Sequence, residues 1–83
     1  MKPYTDLLPH QRRVVHEYAA DAARWEDTAE KLAKLEAFMS ADAWMALDDD
    51  ERARLNTQAT AMHAEREALA EKLDVLARRL SAF

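Results

Sequence analysis

The sequence predicts an all-α protein, built as an antiparallel helical hairpin with a short connecting helix and packed into a homo-oligomeric helical bundle. Gly and Cys are absent and the only two prolines lie near the beginning, whereas the helix-favouring Ala, Leu, Glu, Lys and Arg dominate the rest. Apolar residues recur at steps of three and four along two long segments. We expect a single helical domain over residues 1–83.

The first long segment predicts a helix over residues 9–39, preceded by an extended lead-in over residues 1–8. Pro9 suits the first turn of a helix, where its missing N–H is harmless. The apolar side chains of this segment then share one helix face. They are Val15, Tyr18, Ala22, Trp25, Ala29, Leu32, Leu35 and Met39.

Residues 40–47 break this pattern and predict a short helix or turn, with Ser40 as its cap. Three apolar side chains of this stretch are expected to fold back onto the ends of the two long helices. They are Trp44, Met45 and Leu47.

The acidic run "DDDE" at residues 48–51 raises two interpretations, a metal-binding loop or the start of a helix. A calcium loop usually contains Gly for its sharp turn, and this chain has none. Asp48 can instead cap a helix, with Glu51 three residues later completing a capping box. The run therefore favours the start of a second helix, predicted over residues 48–82.

The second helix carries a heptad pattern whose seam predicts packing against the first helix. Its apolar seam residues are Leu55, Ala59, Met62, Leu69, Leu73, Leu76, Leu80 and Phe83. Arg66 is the exception in this seam, and we expect it to form a cation–π contact with Trp25 or an ion pair with Asp21. Because two helices alone bury little surface, a homo-oligomer is predicted.

Several classes of function are not supported by the residues. No catalytic set is visible, so we expect no enzyme and no cofactor. His10 and His16 are six residues apart and lie on different helix faces, and no histidine spacing suits a metal ion. A net charge of −4 argues against DNA, and no apolar run is long enough for a membrane span, so neither is an expected partner. The cytoplasm is the expected location.

The remaining candidates are cations and aromatics on helix surfaces. One interpretation is that they are ordinary solvated side chains, and the other is that they bind a ligand. In the second case arginine and lysine side chains would hold phosphates and aromatic rings would stack on bases. The phosphate candidates are Arg13, Arg24, Lys31 and Arg79, and the stacking candidates are Tyr4, His10 and Tyr18.

Four stretches of the chain, "VVHE", "EKLAKLEAFMS", "ALDDDERARLNTQATAM" and "LARRLSAF", resemble a family of small phage proteins that includes the anti-CBASS sponges. The resemblance implies a compact helical protein that assembles as a hexamer. It also implies binding of cyclic di- and trinucleotide second messengers in the cytoplasm of the infected bacterium, which starves immune effectors of their signal without turnover.

The resemblance further implies that Arg13, Arg79 and either Arg24 or Lys31 hold phosphates, while His10 or Tyr4 stacks on a base. Two spacings, Arg13 to Lys31 and Met62 to Arg79, are each about seven residues longer than in the family pattern, which equals two helical turns. Equal insertions in both arms suit a lengthened antiparallel hairpin. An alternative function is an oligomeric helical adaptor that binds a partner protein.

Overall fold

The computed structural model describes residues 2–83 as two long antiparallel helices joined by a short one. A 3-10 turn covers Tyr4–Asp6, α1 covers Pro9–Met39, α2 covers Asp42–Met45 and α3 covers Asp49–Ser81. Helices α1 and α3 pack along their length and give a rod of 57 × 15 × 15 Å. The predicted all-α hairpin with a short connecting helix is confirmed, and both long helices begin and end within one residue of their expected bounds.

The two apolar stripes face each other and form the core. Every seam residue predicted above is buried or half-buried, and Leu32 is completely buried. Only five apolar side chains of residues 2–83 are fully buried in the isolated hairpin, and these are Leu7, Leu32, Ala59, Leu69 and Leu76. Most of the seam is therefore only partly covered by a single chain.

The acidic run starts α3, as expected, but within residues 2–83 the Glu51 side chain does not complete the predicted capping box. Oδ1 of Asp48 accepts a hydrogen bond of 2.8 Å from the Glu51 backbone N–H, so Asp48 is the N-cap. The prediction for Ser40 is wrong, because Ala41 occupies the N-cap of α2. Ser40 still has helical dihedral angles at the end of α1, so its hydroxyl donates back to the Glu36 carbonyl at 3.2 Å.

The described part of the lead-in, residues 2–8, differs from the extended segment that was expected, while Met1 lies outside the described residues. The Tyr4 hydroxyl lies 2.8 Å from Nε2 of His16, and the Arg12 guanidinium lies 5.2 Å from the centre of the Tyr4 ring. Arg12 also donates to the Thr5 carbonyl at 3.0 Å, and Leu7 is buried. These contacts hold the lead-in against α1.

The bend is only partly closed by its own side chains. Trp44 and Leu47 are half-buried, and the Trp44 ring meets the Phe38 ring edge to face with centroids 6.3 Å apart. Met45 does not fold back, because it projects from α2 with 73% of its surface exposed.

The expectation for Arg66 is also wrong. Arg66 is half-buried in the seam, but within residues 2–83 it forms neither an ion pair nor a cation–π contact. Asp21 is paired with Lys72 instead.

Among the helices of residues 2–83, none combines the length and the apolar content needed to cross a membrane.

Candidate functional site

Two of the ion pairs between α1 and α3 show how the helices are aligned along one side of the hairpin. Nη2 of Arg24 lies 3.4 Å from Oε1 of Glu65, and Nζ of Lys72 lies 3.1 Å from Oε1 of Glu17. The two residue numbers add to 89 in both pairs. In each helix the partners are also seven residues apart, so they lie along a single side of the hairpin.

We call this side the ladder flank, and its members are spaced by seven in both helices. The members on α1 are His10, Glu17, Arg24, Lys31 and Phe38, and those on α3 are Glu51, Gln58, Glu65, Lys72 and Arg79. The alignment of the two ion pairs places His10 level with Arg79, Lys31 with Gln58, and Phe38 with Glu51. Four of the six residues that the resemblance implies for the ligand site therefore share one flank.

The open end of the ladder flank holds two arginines and a histidine without acidic partners. His10 and Arg79 lie there, and Arg13 neighbours His10 on the surface of α1 because it is three residues further along. All three are exposed, and within residues 2–83 their side chains form no hydrogen bond and no ion pair. The adjacent Arg78, by contrast, contacts Oδ2 of Asp74 at 2.6 Å. This end can accept an anion without displacing a carboxylate.

The middle of the ladder flank contains a cleft of about 230 Å³ that Arg24 and Lys31 line. Both cations are already compensated, Arg24 by Glu65 and Lys31 by Asp27 at 2.9 Å. The hydrogen bond and the charge of Asp27 raise the pKa of Lys31, so its ammonium remains protonated. An anion in this cleft must therefore compete with two carboxylates.

A single chain does not bring all the predicted site residues together. His10 and Lys31 are separated by 21 residues of α1, which is about 32 Å along the axis. Tyr4 is bonded to His16, which lies six residues after His10 and faces a different direction. The structure thus forms one group of His10, Arg13 and Arg79, a second group of Arg24 and Lys31, and leaves Tyr4 apart.

Sequence reasoning missed two features of this flank. The first is the contact of Lys72 with both Glu17 and the buried Asp21. The second is a pocket of about 370 Å³ at the bend, lined by Phe38, Leu47, Glu51, Arg54, Leu55 and Gln58. The seven-residue spacing of the ladder residues was visible in the sequence, but their pairing across the hairpin required the alignment of the helices.

The fold and the flank define a class: a small all-α hairpin protein whose open end presents uncompensated cations. The sequence of the chain identifies the family more closely. The model of the Sequestin family matches residues 8–71, which is 64 of the 83 residues, and the chain belongs to this family. The family name is consistent with the sequestering, sponge-type proteins that the sequence resembles. No curated protein and no solved structure matches the chain.

Proposed function

We propose that this chain is a phage anti-defence protein that binds cyclic di- and trinucleotide immune messengers and holds them without turnover. It acts as an anti-CBASS sponge in the cytoplasm of the infected bacterium. Membership of the Sequestin family supports a sequestering role, and the resemblance to the phage sponges supports the choice of ligand. The observation that carries the proposal is the group of Arg13, Arg79 and His10 at the open end, none of which pairs with an acidic side chain within residues 2–83.

The chemistry of this group suits a phosphodiester. Arg13 and Arg79 offer planar guanidinium groups that donate two hydrogen bonds to the oxygens of one phosphate. His10 neighbours Arg13 on α1 and lies level with Arg79 on α3, and its imidazole ring can stack on a base or donate to a phosphate. The net charge of −4 does not oppose binding, because the local field at the open end is set by these nearby cations.

Assembly into a homo-oligomer, which we propose to be a hexamer, would complete the site. The isolated hairpin leaves large apolar side chains exposed, with Leu8 at 57% and Val75 at 53%. A rod with so little fully buried surface gains stability from packing against further copies. Neighbouring copies can also bring the Arg24 and Lys31 group of one chain towards the open end of another, across a distance that one chain cannot close.

A thermal-shift screen of the purified protein against cyclic di-, tri- and tetranucleotides tests the proposal. Ligand binding to the folded state alone raises the melting temperature. We expect a rise of several degrees with a subset of these ligands, retained in Arg78→Ala and lost in Arg79→Ala. The Arg78→Ala variant is the matched control, because it removes the same charge from the same helical turn but from a side chain that is paired with Asp74.

Two other outcomes have clear meanings. If Arg79→Ala also dissociates the oligomer, Arg79 is structural and the proposed site is wrong. If no cyclic nucleotide shifts a folded, oligomeric protein, the alternative of a helical adaptor for a partner protein is favoured, with exposed apolar residues such as Met45 and Val75 as its contacts.

A further inference from the structure

The hairpin has a pocket at its bend whose lining residues play no part in the proposed sponge site. It lies where the last turn of α1, the segment before α3 and the first turns of α3 meet, and its volume is about 370 Å³. Small-molecule sites typically occupy roughly 300 to 1,000 Å³. The pocket is therefore large enough to take a compact group such as a nucleobase.

The walls combine an aromatic face, an aliphatic floor and polar side chains that have no partner. Phe38 is 37% exposed, and its ring meets the Trp44 ring at an interplanar angle of 84°. Within residues 2–83, the side chains of Glu51, Arg54 and Gln58 form no hydrogen bond and no ion pair. Polar groups that converge on an apolar pocket without internal partners are typical of a ligand site.

We propose that the bend pocket binds the guanine base of a nucleotide, an inference that rests on the proposed sequestration of nucleotides. The carboxylate of Glu51 can accept hydrogen bonds from N1–H and the exocyclic N2–H of guanine, and the Gln58 amide can donate to O6 or N7. Phe38 supplies a stacking surface and Arg54 a cation for the attached phosphate. Adenine has a hydrogen-bond acceptor at N1, so N1 and the Glu51 carboxylate would be two acceptors facing each other without a hydrogen between them.

This site is distinct from the open-end group. Phe38 is 28 residues after His10 on α1, which is about 42 Å along the helix axis. One cyclic dinucleotide cannot span that distance on one chain. The hairpin therefore carries a base-specific site at one end of the ladder flank and a phosphate-selective site at the other.

The test is a titration of the isotopically labelled full chain with guanosine 5′-monophosphate and adenosine 5′-monophosphate, followed by NMR. The indole N–H of Trp44 reports on the bend, and that of Trp25, half-buried in the middle of α1, serves as an internal reference. We expect the guanine nucleotide to shift the Trp44 and Gln58 side-chain signals and to bind about tenfold more tightly than the adenine nucleotide.

Three variants sharpen the assignment. Glu51→Gln is expected to abolish the preference for guanine, and Phe38→Leu is expected to weaken binding about tenfold while preserving an apolar side chain. Asp50→Asn is the matched control, because it removes one exposed carboxylate from the same helical turn without lining the pocket. Its affinity and its preference should equal those of the unmodified chain.

Three results would overturn the inference. One is an unchanged Trp44 signal at saturating guanine nucleotide, and another is equal affinity for both nucleotides. The third is a Trp44 shift that depends on protein concentration alone, which would mean that a second copy covers the pocket.

A cyclic dinucleotide that still binds the open end in any of these cases would leave the proposed function intact. Guanine binding at the bend without cyclic-dinucleotide binding would reject the sponge and retain the pocket.

Discussion

The ammonium of Lys72 on α3 lies 2.9 Å from Oδ2 of the buried Asp21 on α1. The Asp21 side chain is only 6% exposed, and apart from this ion pair Oδ2 has no hydrogen-bond partner within residues 2–83. Lys72 also contacts Oε1 of Glu17 at 3.1 Å. A buried carboxylate without a counter-charge lowers the stability of the folded state. The contact between Lys72 and Asp21 therefore favours the observed alignment of α1 and α3.

Removal of Lys72 should therefore destabilise the hairpin mainly through the charge that it leaves on Asp21. We expect Lys72→Met to lower the melting temperature, and the double variant Lys72→Met/Asp21→Asn to recover much of that loss. Circular dichroism melts of the two single variants and the double variant measure the coupling. Additive effects would show that Lys72 does not compensate Asp21.

The same contact predicts a loss of stability at high pH. Hydrogen bonds to Asp21 and then Glu17 raise the pKa of Lys72 above its ordinary value of 10.5. The folded protein thus holds this proton more tightly than the unfolded chain, so the stabilisation is complete below 10.5 and is lost as the pH rises through the folded-state pKa. Urea unfolding across this alkaline range should show a fall in stability that is smaller in Lys72→Met. An identical fall in that variant would assign the effect to other groups.

The cap at the start of α3 should make a measurable local contribution. Asp48→Ala removes the acceptor of the Glu51 N–H bond and is expected to lower the free energy of unfolding by about 1 kcal/mol. Asp50→Ala is the control variant, because Asp50 is an exposed acid in the same helical turn but is not the N-cap residue. Urea unfolding curves give both values, and equal losses would mean that the charge near the helix terminus matters and the cap does not.

Arg66 should be replaceable by an apolar residue. It is half-buried in the seam and has no acidic partner within residues 2–83, so Arg66→Leu is expected to raise the free energy of unfolding by about 1 kcal/mol. The response to cyclic nucleotides should be unchanged. A variant that folds but no longer responds to them would place Arg66 in the ligand site.

The proposed assembly predicts a mass well above that of one chain. Size-exclusion chromatography with light scattering should give about six times the chain mass of 9.5 kDa. A charge placed on an exposed apolar position, as in Val75→Glu, is expected to reduce that mass if the side chain lies between copies. A monomeric unmodified protein at micromolar concentration would reject the homo-oligomer.

Periodicity was sufficient to predict the fold. The three-and-four spacing on α1 and the heptad on α3 depend only on the geometry of a helix, and Pro9 and Asp48 mark where the two helices begin. Local capping was predicted less well at Ser40, since helical dihedral angles there direct its hydroxyl back to the Glu36 carbonyl. Met45 could not be placed, because a four-residue helix such as α2 has no repeat from which to infer its buried side.

The candidate site depended on a quantity that one sequence does not contain, the alignment of α1 against α3. If α3 were shifted by one residue relative to α1, different side chains of the two helices would lie opposite one another on the flank. In the observed alignment Lys72, six residues after Arg66 on α3, lies 2.9 Å from Asp21, and this is why the expected partner of Arg66 was wrong. The same alignment brings His10 and Arg79 together from opposite ends of the chain.

Equilibrium dialysis with a cyclic dinucleotide, followed by heat denaturation and chromatography of the released ligand, tests the sponge most directly. A sponge lowers the free concentration of the ligand in proportion to the binding sites present. Heating should then return the ligand intact and in full. An unchanged free concentration, or a ligand returned in linear form, would contradict sequestration without turnover.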